Sequence, residues 1–351
     1  MTSSEQLPIP TPLRTDVLIV GAGPVGLFAA FEAGVIGLSC RIVDGIERPG
    51  GQCIELYPDK PIYDIPAIPS CTARDLVDRL VEQCRPFDPP MHLGERIETL
   101  EPLEGGRWLA RTDKGQVFDA AAILIAAGNG AFVPQRLALD DAAALEGRCV
   151  HYGVADIHEF AGKNVVVAGG GDAALDWALA LRSAARHVTL VHRRNGFSAM
   201  DSSVIRLHQA VAAGEIDFVV GTIAALNAPE GRLDSIEVRQ IGGSVRLDAD
   251  QLLVLFGLVA TLGPIANWGI DVQAGRIVVD TSYYESSRPG IFAAGDIAGY
   301  ANKQRLILSG FHEASLALRK AYTYAFPDKK RVHVHSSYDA KLAERVAAAH
   351  P

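Results

Sequence analysis

Twice in this chain a short apolar run stops at closely spaced glycines, and the sequence then resumes with helical spacing. The first run is Asp16-Val-Leu-Ile-Val20, followed by Gly21-Ala-Gly23-Pro-Val-Gly26. The second is Asn164-Val-Val-Val-Ala168, followed by Gly169-Gly-Gly171-Asp-Ala-Ala174. A β-branched run that ends at glycine predicts a buried strand. A strand that turns through such glycines into a helix is built for a dinucleotide. The first glycine makes the tight turn, the second lets the backbone approach the pyrophosphate, and the third small residue lets helix and strand pack closely. The helix N-terminus then turns free N–H groups and a positive dipole end toward the phosphates. In both units a second strand ends 23 residues after the first glycine, at Asp44 and at His192. Equal spacing predicts two copies of one fold.

The two copies differ in charge at that strand end. Asp44 offers a carboxylate, which binds a ribose diol. The second copy has His192-Arg193-Arg194 and no acid. A carboxylate there would repel a 2′-phosphate, whereas a guanidinium binds one bidentately. The second site is therefore expected to take NADP, with Gly169, Gly171, His192, Arg193 and Arg194 around it; the plainer alternative is a solvated basic strand end. An acidic first site and a basic second site in one chain point to FAD plus NADPH.

Between and beyond the motifs, strands alternate with helices, which predicts parallel, doubly wound α/β sheets. Expected helices are 26–33, 72–84 with Thr72 as cap, 173–182 and 305–324. Expected strands include 38–43, 120–127, 187–191, 217–226, 235–240, 244–247, 251–257, 276–279 and 290–294. The Pro-rich stretch 45–70 is long for a plain loop, which usually means function. The 351 residues suffice for roughly two domains. A formal charge of −8 argues against wholesale nucleic-acid binding. Apolar runs fall short of the roughly 18 residues that span a bilayer, and the first residues lack a basic-then-apolar signal pattern, so a cytoplasmic protein is expected. The five cysteines are an odd count with no CxxC, which excludes a disulfide framework and a zinc site.

Near the C-terminus, Gly290-Ile-Phe-Ala-Ala-Gly-Asp296 reads as a strand ending at a carboxylate. With Ala126-Ala-Gly128-Asn129 in the place of the usual crossover, the chain resembles the thioredoxin-reductase-like flavoproteins over nearly its whole length. That resemblance implies a three-layer fold of two Rossmann-like domains, with the NADPH domain inserted in a discontinuous FAD domain. The boundaries expected are 1–132 and 257–326 for FAD, 133–256 for NADP, and 327–351 for an extension over the flavin. Thioredoxin reductases carry a CxxC ahead of the second glycine motif; here that place is Gly153-Val154-Ala155-Asp156. Glutathione-reductase-like enzymes carry CxxxxC early in the chain; Cys53 matches its start, but the partner position is Pro58. Cys53 is expected to be a packed thiol, and dithiol relay chemistry is not expected.

The runs Gly50-Gly-Gln-Cys-Ile-Glu-Leu-Tyr57, Asn302-Lys-Gln-Arg-Leu-Ile-Leu-Ser-Gly-Phe-His312-Glu313 and Arg331-Val-His-Val-His335-Ser336-Ser337 are similar to the thioredoxin-reductase-like ferredoxin–NADP reductases. The resemblance implies that Asp44, Gln52, Tyr57, Ile97, Phe132, Asp296 and Ser337 contact FAD, that Tyr57 stacks on one flavin face, and that His335 covers the other, from the same or a partner subunit. Plainer readings are a buried core tyrosine and a tail histidine. Relatives follow the HRR triplet with a further basic residue; Asn195-Gly196-Phe197-Ser198 leaves Arg193 and Arg194 as the clamp. Hydride is expected to pass between nicotinamide and flavin, and single electrons between flavin and ferredoxin or flavodoxin, without an acid–base side chain and without a metal. A helix beginning near Lys303 would direct its N–H groups at the flavin. Lys329-Lys330-Arg331 is either a docking patch or a solvated basic turn. A homodimer is implied. The alternatives are an NADPH-dependent disulfide reductase using an outside thiol, which the missing CxxC disfavours, and a non-enzymatic flavin sensor.

Overall fold

The structure is a computed structural model; it describes residues 11–154, 156–329 and 339–349, without the side chains of Phe132 and Lys341. The chain divides into two compact units. One runs to Ala131 and resumes at Thr261; the other, inserted between them, is Phe132–Ala260. The crossing segments Ala131–Pro134 and Leu258–Thr261 pair as a two-stranded sheet.

The outer unit is built on a parallel sheet in the order Met91–Leu93, Cys40–Asp44, Leu13–Val20, Val117–Ile125. Val17, Leu18 and Ile19 have no exposure, as a strand covered on both faces requires. The nine-residue strand Val117–Ile125 serves two partners on its far edge. Its first half pairs antiparallel with Trp108–Thr112, which pairs with Ile97–Pro102. Its second half pairs parallel with Ile291–Ala293. The register sets Val20 beside Ile125 and Ile125 beside Ala293. Three strands therefore end level, and the chain leaves them at Gly21, Ala126 and Ala294. The helices Pro24–Val35, Ala73–Cys84 and Ile307–Ala325 pack together around the sheet. Proline at the first helical position suits Pro24–Val35, because its missing N–H has no helical partner to lose. Ala73–Cys84 begins in a capping box: Thr72 accepts from the Asp75 N–H, and Asp75 accepts from the Thr72 N–H.

The inserted unit repeats the plan with five parallel strands: Val150–His151, Gln251–Leu255, Asn164–Gly169, His187–His192 and Asp217–Val220. Its helices are Asp172–Leu181 and Asp201–Ala212. An antiparallel sheet of Thr222–Asn227, Ser235–Gln240 and Gly243–Asp248 is added. The unit has two apolar cores, one built on Val166, Ala168 and Leu252 and one on Val165, Val167 and Leu253. The alternation along these strands puts one core on each face of the sheet.

Two expectations are corrected. The stretch 217–226 is not one strand: it breaks at Gly221, where a Cβ would stand 2.6 Å from the Arg239 carbonyl oxygen, and continues in another sheet. The last long helix begins at Ile307, past Lys303 and Arg305. Within the tail, residues 340–349 form a helix.

Candidate functional site

The strand ends of the outer unit bring together Gly21, Gly23, Gly26, Asp44, Gln52 and Asp296. Gly21 has φ +115°, and a Cβ on it would run into the Ala126 carbonyl. A Cβ on Gly26 would run into the carbonyl of Gly21. Over Gly23 there is open space, with nothing within 4 Å of a Cβ. Gly23 caps Pro24–Val35 with no side-chain hydrogen bond, so the helix N-terminus keeps its free N–H groups. The loop is braced from behind: the Gly21 N–H donates to Val43 O at 2.8 Å and the Gly50 N–H to Ala22 O at 2.8 Å.

Asp44 closes the next strand. Its Oδ2 accepts the Ala22 N–H at 2.6 Å and its Oδ1 the Ile46 N–H at 2.8 Å. Burial pushes its carboxyl above the usual range, against those two hydrogen bonds. Each oxygen retains a lone pair for a further donor. Gln52 starts the short helix Gln52–Leu56; its Oε1 accepts from Asn129 at 3.0 Å and its Nε2 donates to Gly130 O at 3.4 Å. The sequence had placed Gln52 and Asn129 in separate motifs, and the fold joins them. Tyr57 ends that helix half-buried, its hydroxyl 3.2 Å from Cys53 Sγ. Burial pushes the Tyr57 hydroxyl and the Cys53 thiol up, so Cys53 stays a protonated, packed group. All five cysteines are free.

Asp296 follows the strand Ile291–Ala293. Among the described residues its carboxylate makes no hydrogen bond, although it is half-buried. A carboxylate with no hydrogen bond among the described residues, a carboxylate at Asp44 with room for more donors, and open space over an uncapped helix start together fit a dinucleotide carrying hydroxyls and a pyrophosphate. Ile97 has a core side chain, 4% exposed. The backbone of Phe132 lies in the crossing strand Ala131–Pro134. His335 and Ser337, with Lys330 and Arg331, lie outside the described residues; Lys329 is exposed and sits over the Phe326 ring at 4.4 Å.

In the sequence Glu313 is only the last residue of the 302–313 motif. The structure places it in the core beneath the Asp296 turn, with no exposure. The readable signal was its position on the same helix face as Gly310, Ala314, Ala317 and Ala321.

The inserted unit carries the second glycine loop. Gly169 and Ala174 are in contact range, and space over Gly171 is open, the nearest atom to a Cβ being Ser198 O at 3.8 Å. Helix Asp172–Leu181 likewise starts at an uncapped glycine, Gly171. The His192 ring lies flat against Gly170 and stacks on Phe197 with centroids 5.7 Å apart. Its Nε2 is buried without a hydrogen-bond partner among the described residues, and burial lowers its pKa. The segment after it folds back, with the Ser198 N–H donating to Gly170 O at 2.7 Å. Arg194 donates to Ser198 Oγ at 2.8 Å, whereas Arg193 is exposed and makes no hydrogen bond or ion pair among the described residues.

Residues 15–321 match the family described as pyridine nucleotide-disulphide oxidoreductase. The chain is 86% identical over 351 residues, and 100% of both chains, to a ferredoxin–NADP reductase of Burkholderia vietnamiensis. To that of Paraburkholderia phymatum it is 76% identical over 350 residues, again covering 100% of each. Among solved structures, a bacillithiol disulfide reductase of Staphylococcus aureus aligns with TM-score 0.59 at 18% identity, covering 88% of this chain and 98% of that one. A thioredoxin reductase of Lactococcus lactis aligns with TM-score 0.55 at 22% identity, covering 89% and 99%. These structures share the fold.

Proposed function

The chain belongs to the pyridine nucleotide-disulphide oxidoreductase family, among its ferredoxin–NADP reductases, and on that premise we propose that it moves electrons between NADPH and ferredoxin through FAD. The observation that carries the division of labour is the pair of matched strand ends: a carboxylate, Asp44, in one unit and an arginine pair, Arg193 and Arg194, in the other. FAD, when bound, supplies the step from hydride to single electrons. The outer unit is read as the FAD domain. Its glycine loop and the start of Pro24–Val35 hold the pyrophosphate, Asp44 a ribose, and Asp296 a ribitol hydroxyl. Gln52, fixed by Asn129, presents an amide at the same strand ends. Tyr57 offers a ring face, and resemblance adds Ile97, Phe132, His335 and Ser337 to the FAD contacts. The inserted unit is read as the NADP domain, with Gly169 and Gly171 at the pyrophosphate and Arg193 free to take the 2′-phosphate. The crossing strands are the segments where a hinge would act, and the tail beyond Phe326 is read as a cover for the flavin.

No cysteine pair stands at either position that disulfide reductases use, so electrons leave the flavin for an outside carrier. Flavodoxin would serve as an alternative carrier. Free thiols suit a reducing cytoplasm, and no helix among the described residues is long and apolar enough to cross a membrane. A homodimer belongs to the same reading. The deciding measurement is NADPH-dependent cytochrome c reduction with and without added ferredoxin. Ferredoxin-dependent turnover is expected; turnover that ferredoxin does not raise would overturn the assignment.

A further inference from the structure

Helix Ile307–Ala325 turns small residues inward. A Cβ on Gly310 would stand 3.2 Å from Gly295 Cα and would strike Val25, so the helix runs flush over the Gly295 turn and the start of the first glycine helix. Glu313 sits one turn along on that face, with no exposure to solvent. Its Oε2 accepts the Gly295 N–H at 2.7 Å. Its Oε1 accepts the Tyr300 hydroxyl at 2.6 Å and the Lys303 ammonium. The Lys303 side chain is 7% exposed, and Glu313 is its ion-pair partner. The ammonium also lies 5.3 Å from the centre of the Tyr300 ring. One carboxylate thus fastens the chain at 295, 300 and 303, on both sides of Asp296.

A buried ion pair is an expensive way to anchor a loop, because both charges lose their water; apolar packing of similar volume is often no less stabilising. What the pair supplies is direction and charge balance. The three donors fix the carboxylate, the carboxylate fixes the turn that presents Asp296, and the charge of Lys303 is cancelled in place.

We propose that Glu313 is a positioning residue for the flavin site: it holds the Gly295–Asp296 turn so that the Asp296 carboxylate, which makes no hydrogen bond among the described residues, meets a ribitol hydroxyl, and it neutralises the charge of Lys303 beside that turn. This rests on the outer unit being the FAD domain. Removing the anion alone leaves a buried cation, which favours added electrons; removing the cation alone leaves a buried anion, which disfavours them. The two single changes therefore shift the flavin midpoint potential in opposite directions.

The test compares the full-length protein with Glu313→Gln, Lys303→Met, the double variant and Tyr300→Phe. FAD dissociation constants come from flavin fluorescence, and midpoint potentials from equilibration with a redox dye. Expected are FAD binding at least tenfold weaker in Glu313→Gln, a more positive potential in that variant, a more negative one in Lys303→Met, and a return to the parent potential in the double variant. A purely structural anchor would weaken binding without this cancellation. If Glu313→Gln does not fold, Lys303→Met and Tyr300→Phe carry the test: the negative shift must appear in the first and be absent from the second. Shifts of the same sign, or FAD binding within twofold of the parent, overturn the proposal. A parent protein without FAD would instead overturn the cofactor reading beneath it.

Discussion

The two glycine loops have the same backbone plan and spend their small residues differently. In the outer unit the carboxylate of Asp44 reaches around and accepts the Ala22 N–H at 2.6 Å, leaving room for an alanine side chain that is fully buried. In the inserted unit the equivalent residue is Gly170, because the His192 ring fills the space a Cβ would need. The third small position shows the reverse. Gly26 faces the Gly21 carbonyl and admits no Cβ, whereas the inserted unit keeps Ala174 there, fully buried. Which glycine is obligatory depends on the side chain at the end of the neighbouring strand and on how closely the helix meets the loop. The same strand end decides the charge offered to the nucleotide.

The comparison can be broken most forcefully at the third position. Gly26→Ala forces a methyl into a backbone carbonyl that cannot yield without moving the whole loop. We expect a loss of about 3 kcal/mol in stability and purified protein without FAD. Ala174→Gly should cost about 1 kcal/mol, mainly through helix propensity. Thermal melts and the flavin absorbance of the purified variants check both. Equal losses would mean that the two helices meet their loops alike.

Next in size is Gly170→Ala. The methyl displaces the His192 ring from the loop and, with it, the stack on Phe197. NADPH KM should rise at least tenfold while FAD content stays at the parent level. A loss of FAD with unchanged NADPH KM would reverse the assignment of the two units. Smaller and more selective is Arg193→Ala. Its guanidinium has no partner within the described residues, so its removal should raise the NADPH KM roughly tenfold, equivalent to about 1.5 kcal/mol for one charge-assisted hydrogen bond. NADH KM should not change. Arg194→Ala also releases Ser198, so it should disturb both cofactors. Equal effects of Arg193→Ala on NADPH and NADH would reject the 2′-phosphate clamp.

The strands, the glycine turns and the opposite charges of Asp44 and Arg193 were legible because each is written in consecutive residues. Helix 201–212 was not: its inward residues Ser203, Leu207 and Ala210 include only one large apolar side chain, so its periodicity is faint. The start of the last long helix was misplaced because Lys303 and Arg305 have good helix propensity, while the fold uses Lys303 to reach Glu313 from the preceding loop. Glu313 itself was hidden by type. A glutamate in mid-helix reads as exposed, and only the tertiary placement of Gly295, Tyr300 and Lys303 supplies its partners. The packed state of Cys53 was legible from its missing partner at Pro58, and the structure adds the Tyr57 hydroxyl as its neighbour.

The smallest effect is in acid. The two strand ends titrate in opposite senses. Burial first, with the nearby Glu55 charge, raises the Asp44 carboxyl, and the Ala22 and Ile46 N–H groups oppose the shift. Burial first, with the charges of Arg194 and Arg193, lowers His192, and its bond to the Gly196 backbone opposes that shift. A raised carboxyl binds its proton sooner in the folded state. Its contribution is fully present below about pH 3.9 and is lost as pH rises through the folded pKa. A lowered imidazole binds its proton later in the folded state. Its contribution is fully present above about pH 6.5 and is lost as pH falls through the folded pKa. Mild acidification should therefore weaken the inserted unit first, while Asp44 does not contribute to that loss. Melting temperatures of the cofactor-free protein between pH 7.5 and 5.5 should fall less steeply in His192→Gln than in the parent, whereas Asp44→Asn should not make the fall less steep. A parent slope retained in His192→Gln would place the ring in solvent, and the contrast between the two strand ends would then reduce to the charge each offers its nucleotide.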